Sequence, residues 1–146
     1  MVMENITKRL QELFDDKEFD KNDLIKFFNF KDETLFYIWK RGDSIPSLIN
    51  LDKLARYFKC SMEYLFGRTE DFGDGDYGEM KPFDNQLRKI MKNKGVTQYR
   101  MIKKDNVCTS NHFHKWNKLK STPTPETVLK LADYFNVTVD YLLGRE

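Results

Sequence analysis

Two cysteines are all the thiol chemistry that 146 residues offer. Cys60 and Cys108 do not occupy equivalent positions in the pattern described below, so they read as a core filler and a loop thiol, and no disulfide framework is expected. Long apolar runs are missing as well. No stretch approaches the roughly 18 residues a membrane span needs, and no charged-then-apolar leader opens the chain, so the expected setting is the cytoplasm without membrane attachment. Period-2 alternation never lasts more than a few residues, which argues against strands. No carboxylate pair, nucleophile-base set or phosphate-cradling loop is present, so no enzyme and no cofactor are expected. Cys108, His112 and His114 look like a metal triplet on paper, but helical spacing turns the two histidines to different sides, and no metal is expected. Overall charge of one sign is lacking too: 25 Lys and Arg face 23 Asp and Glu.

What is present is a repeat. Lys130-Leu-Ala-Asp-Tyr-Phe-Asn-Val-Thr-Val-Asp-Tyr-Leu-Leu-Gly-Arg145 varies Lys53-Leu-Ala-Arg-Tyr-Phe-Lys-Cys-Ser-Met-Glu-Tyr-Leu-Phe-Gly-Arg68 at an offset of 77 residues. Carried backward without a gap, that offset pairs Pro123 with Pro46, Trp116 with Trp39, Phe113 with Phe36 and Leu87 with Leu10. Two small units are therefore expected in tandem, residues 1–69 and 83–146. Units of this size hide only roughly 60% of their unfolded surface and gain from packing on a neighbour. Residues 70–82, rich in Gly and Asp, read as a flexible, self-repelling linker.

The near-neutral total conceals a division of labour. Residues 1–69 carry twelve bases and twelve acids, residues 70–82 one and five, and residues 83–146 twelve and six. Only the second copy is basic, and a surplus of six positive charges on so small a unit favours a polyanionic partner.

Both copies read as five short helices. In the second, Leu87, Ile90 and Met91 give one apolar face to a helix from about Asp84 to Lys94, which Gly95 ends in a left-handed cap. Thr97 caps a second helix, whose buried side is Met101 and Ile102 and which Asp105-Asn106 breaks. Thr109 or Ser110 caps a third, with Phe113 and Trp116 turned inward. Thr124 and Pro125 open a fourth, lined by Val128, Leu131, Ala132 and Phe135. Thr138 caps a fifth, closed by Gly144. In the first copy Asp20, Asp32, Ser47 and Ser61 stand at the equivalent caps.

Thr97-Gln98, a short polar third helix ending in Trp116, the Pro-containing loop and the segment Thr127–Arg145 resemble the helix-turn-helix domain of the lambda-repressor-like, Cro-type (XRE) family, known from bacteria and phage. The resemblance covers residues 83–146 closely and residues 5–68 through the repeat. It implies an all-α fold of two tandem five-helix helix-turn-helix domains and a DNA-binding transcription regulator, expected to be a repressor, with double-stranded DNA as partner. In this family the third helix enters the major groove while the start of the second lies against the backbone. Outward on that third helix, Asn111 matches adenine N6 and N7, Lys115 matches guanine O6 and N7, and Ser110 suits a base or a phosphate. Thr109 and His114 join them at the rim. Gln98, with Tyr99 beside it, matches a position that contacts the backbone and sometimes a base; Lys118 and Lys120 would hold phosphates.

The first copy is a poor candidate reader. Asp32 and Glu33 open its third helix and would face a phosphate wall, only partly offset by Lys21, Lys40 and Arg41. It holds twelve aromatic residues against seven in the second, and some of Phe19, Phe27, Phe28, Phe30 and Tyr37 are expected to form an apolar surface patch. Such a patch would serve packing, partner binding or homodimerisation through residues 1–69. Two rival expectations stand beside this one. In the first, both copies read adjacent half-sites as an intramolecular pseudo-dimer. In the second, the chain is a protein-interaction module, such as an antitoxin or scaffold, with little DNA binding.

Overall fold

The computed structural model describes residues 2–146, with side chains from Glu4 onward. The chain is all-α: among the described residues every regular element is helical. It divides into two compact units, one ending at Tyr77 and the other beginning at Gly78.

The first unit contains α1 (Val2–Phe14), α2 (Lys21–Phe28), α3 (Thr34–Arg41), α4 (Leu48–Phe58) and α5 (Met62–Leu65). The second contains α6 (Phe83–Lys94), a π-helical turn (Arg100–Lys104), α7 (Ser110–Asn117), α8 (Pro125–Phe135) and α9 (Val139–Leu142). Packing partners correspond. In the first unit α1 lies against α3 and α5, and α4 against α5; in the second α6 lies against α7 and α9, and α8 against α9. The cores correspond too, with Leu10, Phe36, Trp39, Leu54 and Leu65 buried in one and Leu87, Phe113, Trp116, Leu131 and Leu142 in the other.

Local chemistry repeats at the same offset. Ser47 and Thr124 each accept from the backbone N–H three residues on, as do Ser61 and Thr138, satisfying donors that a helix start leaves without a partner. Three left-handed positions coincide, Asn29 with Asn106, Lys59 with Asn136, and Gly67 with Gly144, whereas Gly42, Gly95 and Lys120 have no left-handed counterpart. At the last pair glycine is needed twice over. Besides its positive φ, a Cβ at Gly67 would lie 2.9 Å from Asn5 Cβ and one at Gly144 would lie 2.7 Å from Gln86 Cδ, because the chain there presses on the first helix of its own unit. The ion pair after the last helix is repeated as well, Arg68 with Glu63 at 2.7 Å and Arg145 with Asp140 in full burial.

Four details depart from the sequence reading. α6 starts at Phe83 rather than Asp84, with Pro82 at the N-cap position. The helix after Thr97 closes into a π turn, in which the Asp105 N–H donates to the Arg100 carbonyl. Asp32 is displaced by one: Glu33 holds the N-cap position of α3 without a side-chain bond, while Asp32 Oδ1 accepts from the Thr34 N–H at 3.0 Å. Cys108 lies in a loop but is buried, and burial pushes its thiol up to about 11. Neither cysteine forms a disulfide.

The expected aromatic surface patch is largely absent. Phe28 is buried, Phe19, Phe30 and Tyr37 are partly covered, and only Phe27 is exposed, at 49%. The surplus rings pack on one another instead: Phe14 lies 5.2 Å from Phe19 and 4.8 Å from Phe36, and Phe28 lies 5.0 Å from Phe30. Edge and tilted contacts of this kind stabilise beyond their area.

The stretch 70–82 is held to each unit in turn. On the first, Arg9 bonds the Thr69 carbonyl and the Glu70 carboxylate, the Phe72 carbonyl accepts from the Ser61 N–H, and the Phe72 ring lies 5.2 Å from Tyr64. On the second, the Gly78 and Lys81 N–H groups donate to the carbonyls of Arg145 and Leu143.

Candidate nucleic-acid interface

α7 is built by a reciprocal cap. Thr109 Oγ1 accepts from the His112 N–H at 3.2 Å, and His112 Nδ1 accepts from the Thr109 N–H at 3.1 Å. Thr109, not Ser110, is therefore the N-cap, and two orphan donors are satisfied at once. The bond also fixes the His112 imidazole, which stacks on Trp116 with an interplanar angle of 4°. Trp116 in turn meets Phe83 at 5.1 Å and Phe113 at 5.6 Å. Phe113 and Trp116 thereby anchor α7 to α6 through one face.

The opposite face follows from helical geometry. With 113 and 116 buried, positions 111, 114, 115 and 118 point away, and 110 lies at the edge. Ser110, Asn111, His114, Lys115 and Lys118 are all exposed. Around the C-terminal end of α7 the chain folds back, so that the Ser121 N–H and hydroxyl both donate to the Lys115 carbonyl. Leu119 is left 64% exposed beside Lys118, an apolar side chain that the sequence reading passed over.

Gln98 and Tyr99 are exposed as well, Tyr99 at 64%. Thr97 Oγ1 accepts from the Arg100 N–H at 3.1 Å, which caps the turn. Gln98 shares a shallow depression with Phe113 and Asn117 of α7 and with Asp84 and Arg88 of α6. Arg88 and Asn117 are thus polar neighbours of Gln98 that no local motif announces.

Two of the positive charges are held by acids. Lys120, in a left-handed conformation, places Nζ 2.6 Å from Asp84 Oδ2; the carboxylate is buried and the lysine exposed. The hydrogen bond to Lys120 holds the Asp84 carboxyl below the usual carboxylate range against the opposing effect of burial. Arg100 Nε lies 3.0 Å from Asp105 Oδ2, which also accepts from the Tyr134 hydroxyl at 2.5 Å. The Tyr134 bond, and then Arg100, lower the Asp105 pKa, while burial and then Asp105 raise that of Tyr134. Lys120 and Arg100 therefore present less net charge than Lys115 and Lys118, for which no ion pair is formed among the described residues.

The equivalent rim of the first unit carries carboxylates and engaged bases. Lys21 pairs with Glu33 at 2.6 Å and donates to the Tyr37 hydroxyl, Arg41 pairs with Asp43 at 2.8 Å, and Lys40 stands 4.0 Å from Asp15. Of the three bases expected to offset Asp32 and Glu33, Lys21 offsets Glu33, while Arg41 and Lys40 face other acids.

Among the described residues no three His, Cys, Asp or Glu side chains stand close enough to hold a metal ion, and no helix is long and apolar enough to cross a membrane. Comparison with protein-family models, with curated proteins and with solved structures gives no match.

Proposed function

We propose that the chain is a sequence-specific DNA-binding regulator, acting as a repressor, whose second unit inserts α7 into the major groove. In this reading both units are five-helix helix-turn-helix domains of the lambda-repressor-like kind, and the first has given up DNA reading. The observation that carries it is the split of α7: Phe113 and Trp116 are buried on one face, while Asn111, His114 and Lys115 are exposed on the other and Lys118 is exposed just past its end. A helix of this width fits the groove of B-DNA, and amide and ammonium groups on its outer face match adenine and guanine edges. The surplus of six positive charges in residues 83–146 supplies the sequence-independent attraction. All nine nominated residues, Gln98, Tyr99, Thr109, Ser110, Asn111, His114, Lys115, Lys118 and Lys120, are exposed. Their ranking changes: Thr109 works first as a cap, and Lys120 reaches a phosphate only by leaving Asp84.

The first unit takes a packing or partner role. Among the described residues Phe27 and Ile49 are the large apolar side chains exposed on its helices, at 49% and 50%, and homodimerisation through residues 1–69 has these to build on. The test is selection of bound sequences from a random duplex pool with the full chain at low salt, followed by titration of the selected duplex. Enrichment of a defined half-site supports the proposal. Failure to retain any duplex at low salt overturns it in favour of a protein-interaction module.

A further inference from the structure

The first unit contains a groove of about 430 Å³, within the size range of small-molecule sites. Its apolar surface comes from Leu13, Phe19, Tyr57, Phe58 and Phe72. The rings form a continuous set, Phe19 lying 5.8 Å from Phe58 and Phe58 lying 5.1 Å from Tyr57. Asp16 and Glu18, from the loop after α1, and Asp23 of α2 supply carboxylates to the same groove. The Asp16 carboxylate accepts only from the Glu18 N–H and that of Asp23 only from the Tyr57 hydroxyl, at 2.8 Å, and none of the three acids forms an ion pair among the described residues. Burial, and then Asp23, push the Tyr57 pKa up to about 12, so this hydroxyl stays a neutral donor.

The repeat supplies an internal control. At the offset of 77, Asp16, Glu18, Phe19 and Asp23 correspond to Asn93, Gly95, Val96 and Arg100, while Tyr57 and Phe58 correspond to Tyr134 and Phe135. The second unit thus keeps the two rings of the fourth helix, has no carboxylate at the other positions, and fills the Asp23 position with an arginine that pairs with Asp105. The second unit also sets an acid, Asp105, on its tyrosine hydroxyl, so what the first unit has alone is the pair of loop acids Asp16 and Glu18 with the Phe19 and Phe72 rings, and these are not a requirement of the fold.

We propose that this groove is a binding site for a small linear organic cation of the polyamine class, an aliphatic stem bearing ammonium groups. Methylenes lie on the rings, ammonium groups sit over ring faces or beside carboxylates, and the acids on the loop and on α2 receive charges spaced along the stem. A compact metal ion is a poorer match, because no three acidic groups among the described residues come close enough to share one. Anions are repelled by three carboxylates. The proposal does not depend on DNA binding.

The test is calorimetric titration of the nucleic-acid-free full chain at about 0.15 M salt, where diffuse attraction is largely screened. Spermidine is the probe, with 1,8-octanediol, magnesium ion and pentalysine as comparators. Saturable spermidine binding is expected, weakened roughly tenfold by Phe72→Ala and several-fold by Glu18→Gln, and unchanged by Glu126→Gln on the second unit. Both altered groove residues are solvent-exposed, and thermal unfolding of each variant checks its fold; should Phe72→Ala unfold, Glu18→Gln decides. Absence of spermidine binding, equal binding by magnesium or octanediol, indifference to both groove substitutions, or capture of pentalysine but not spermidine would each overturn it.

Discussion

In the proposed reading Asn111 and Lys118 make two different kinds of contact. Asn111 lies at the centre of the outer face of α7, where a carboxamide can pair with both hydrogen-bonding atoms of an adenine edge. Asn111→Ala is expected to cost about 1–3 kcal/mol on the selected duplex and little on a scrambled one. Lys118 follows the helix, and the same reading gives it a phosphate. Lys118→Ala should weaken both duplexes alike and flatten the dependence of log affinity on log salt by about one unit. Fluorescence anisotropy across a salt series measures both, and equal losses from the two changes would remove the division between base reading and phosphate holding. Asp84 gives a third residue-scale outcome. Its carboxylate is held low by Lys120, so the stability it contributes is present above the unfolded carboxylate pKa and is lost as pH falls through the folded value. Asp84→Asn should lower the urea midpoint at neutral pH, and the difference from wild type should vanish at acid pH. The same change releases Lys120 and removes a negative charge, so non-specific duplex affinity should rise while stability falls. The lysine was legible as a phosphate candidate from its place after α7; its partner was not, since 36 residues separate the two and nothing local couples them.

Among elements, the caps were the most readable features, because a cap needs a short polar side chain at one place and leaves a mark in the sequence. Ser47, Ser61, Thr97, Thr124 and Thr138 all act where the repeat put them. Thr109→Ala should cost about 1 kcal/mol in chemical denaturation by removing one half of the reciprocal cap and loosening His112 on Trp116. Of the left-handed C-caps the sequence reading named only Gly95 and passed over Asn29, Gly42, Lys59 and Asn136. Lys59 has φ 58° at the end of α4, a conformation that L side chains pay for, whereas its counterpart is Asn136. Lys59→Gly should therefore raise stability by about 0.5–1 kcal/mol, while Asn136→Gly should change little. The π turn after Thr97 was not legible, because the apolar spacing of Met101 and Ile102 suits either winding. The aromatic surplus misled for a related reason: counting rings against core volume ignores rings that cover one another, as Phe14, Phe19, Phe36 and Phe58 do.

Across the whole molecule, the offset of 77 residues organises two units whose helices correspond and whose surfaces have diverged. One bears engaged bases and an acid-rimmed aromatic groove; the other bears a polar helix face and the positive surplus. This divergence leads to a prediction about stoichiometry on DNA. If each chain carries one reader, exposed substitutions at the start of the third helix of the first unit, such as Thr34→Ala with Lys31→Ala in the turn before it, should leave affinity for the selected duplex within about twofold, whereas Asn111→Ala lowers it by about fivefold or more. Hydroxyl-radical footprinting should then show protection of one half-site per bound chain. An intramolecular pair of readers would instead protect two half-sites about 34 Å apart from a single chain, and the Lys31 and Thr34 changes would weaken it as Asn111→Ala does. The charge distribution favours the first outcome. A reading helix must approach phosphates on both sides of a groove, and the turn that opens α3 would bring the exposed Asp32 to that wall with Glu33 offset only by Lys21, whereas α7 and the residue after it bring Lys115 and Lys118 and no acid.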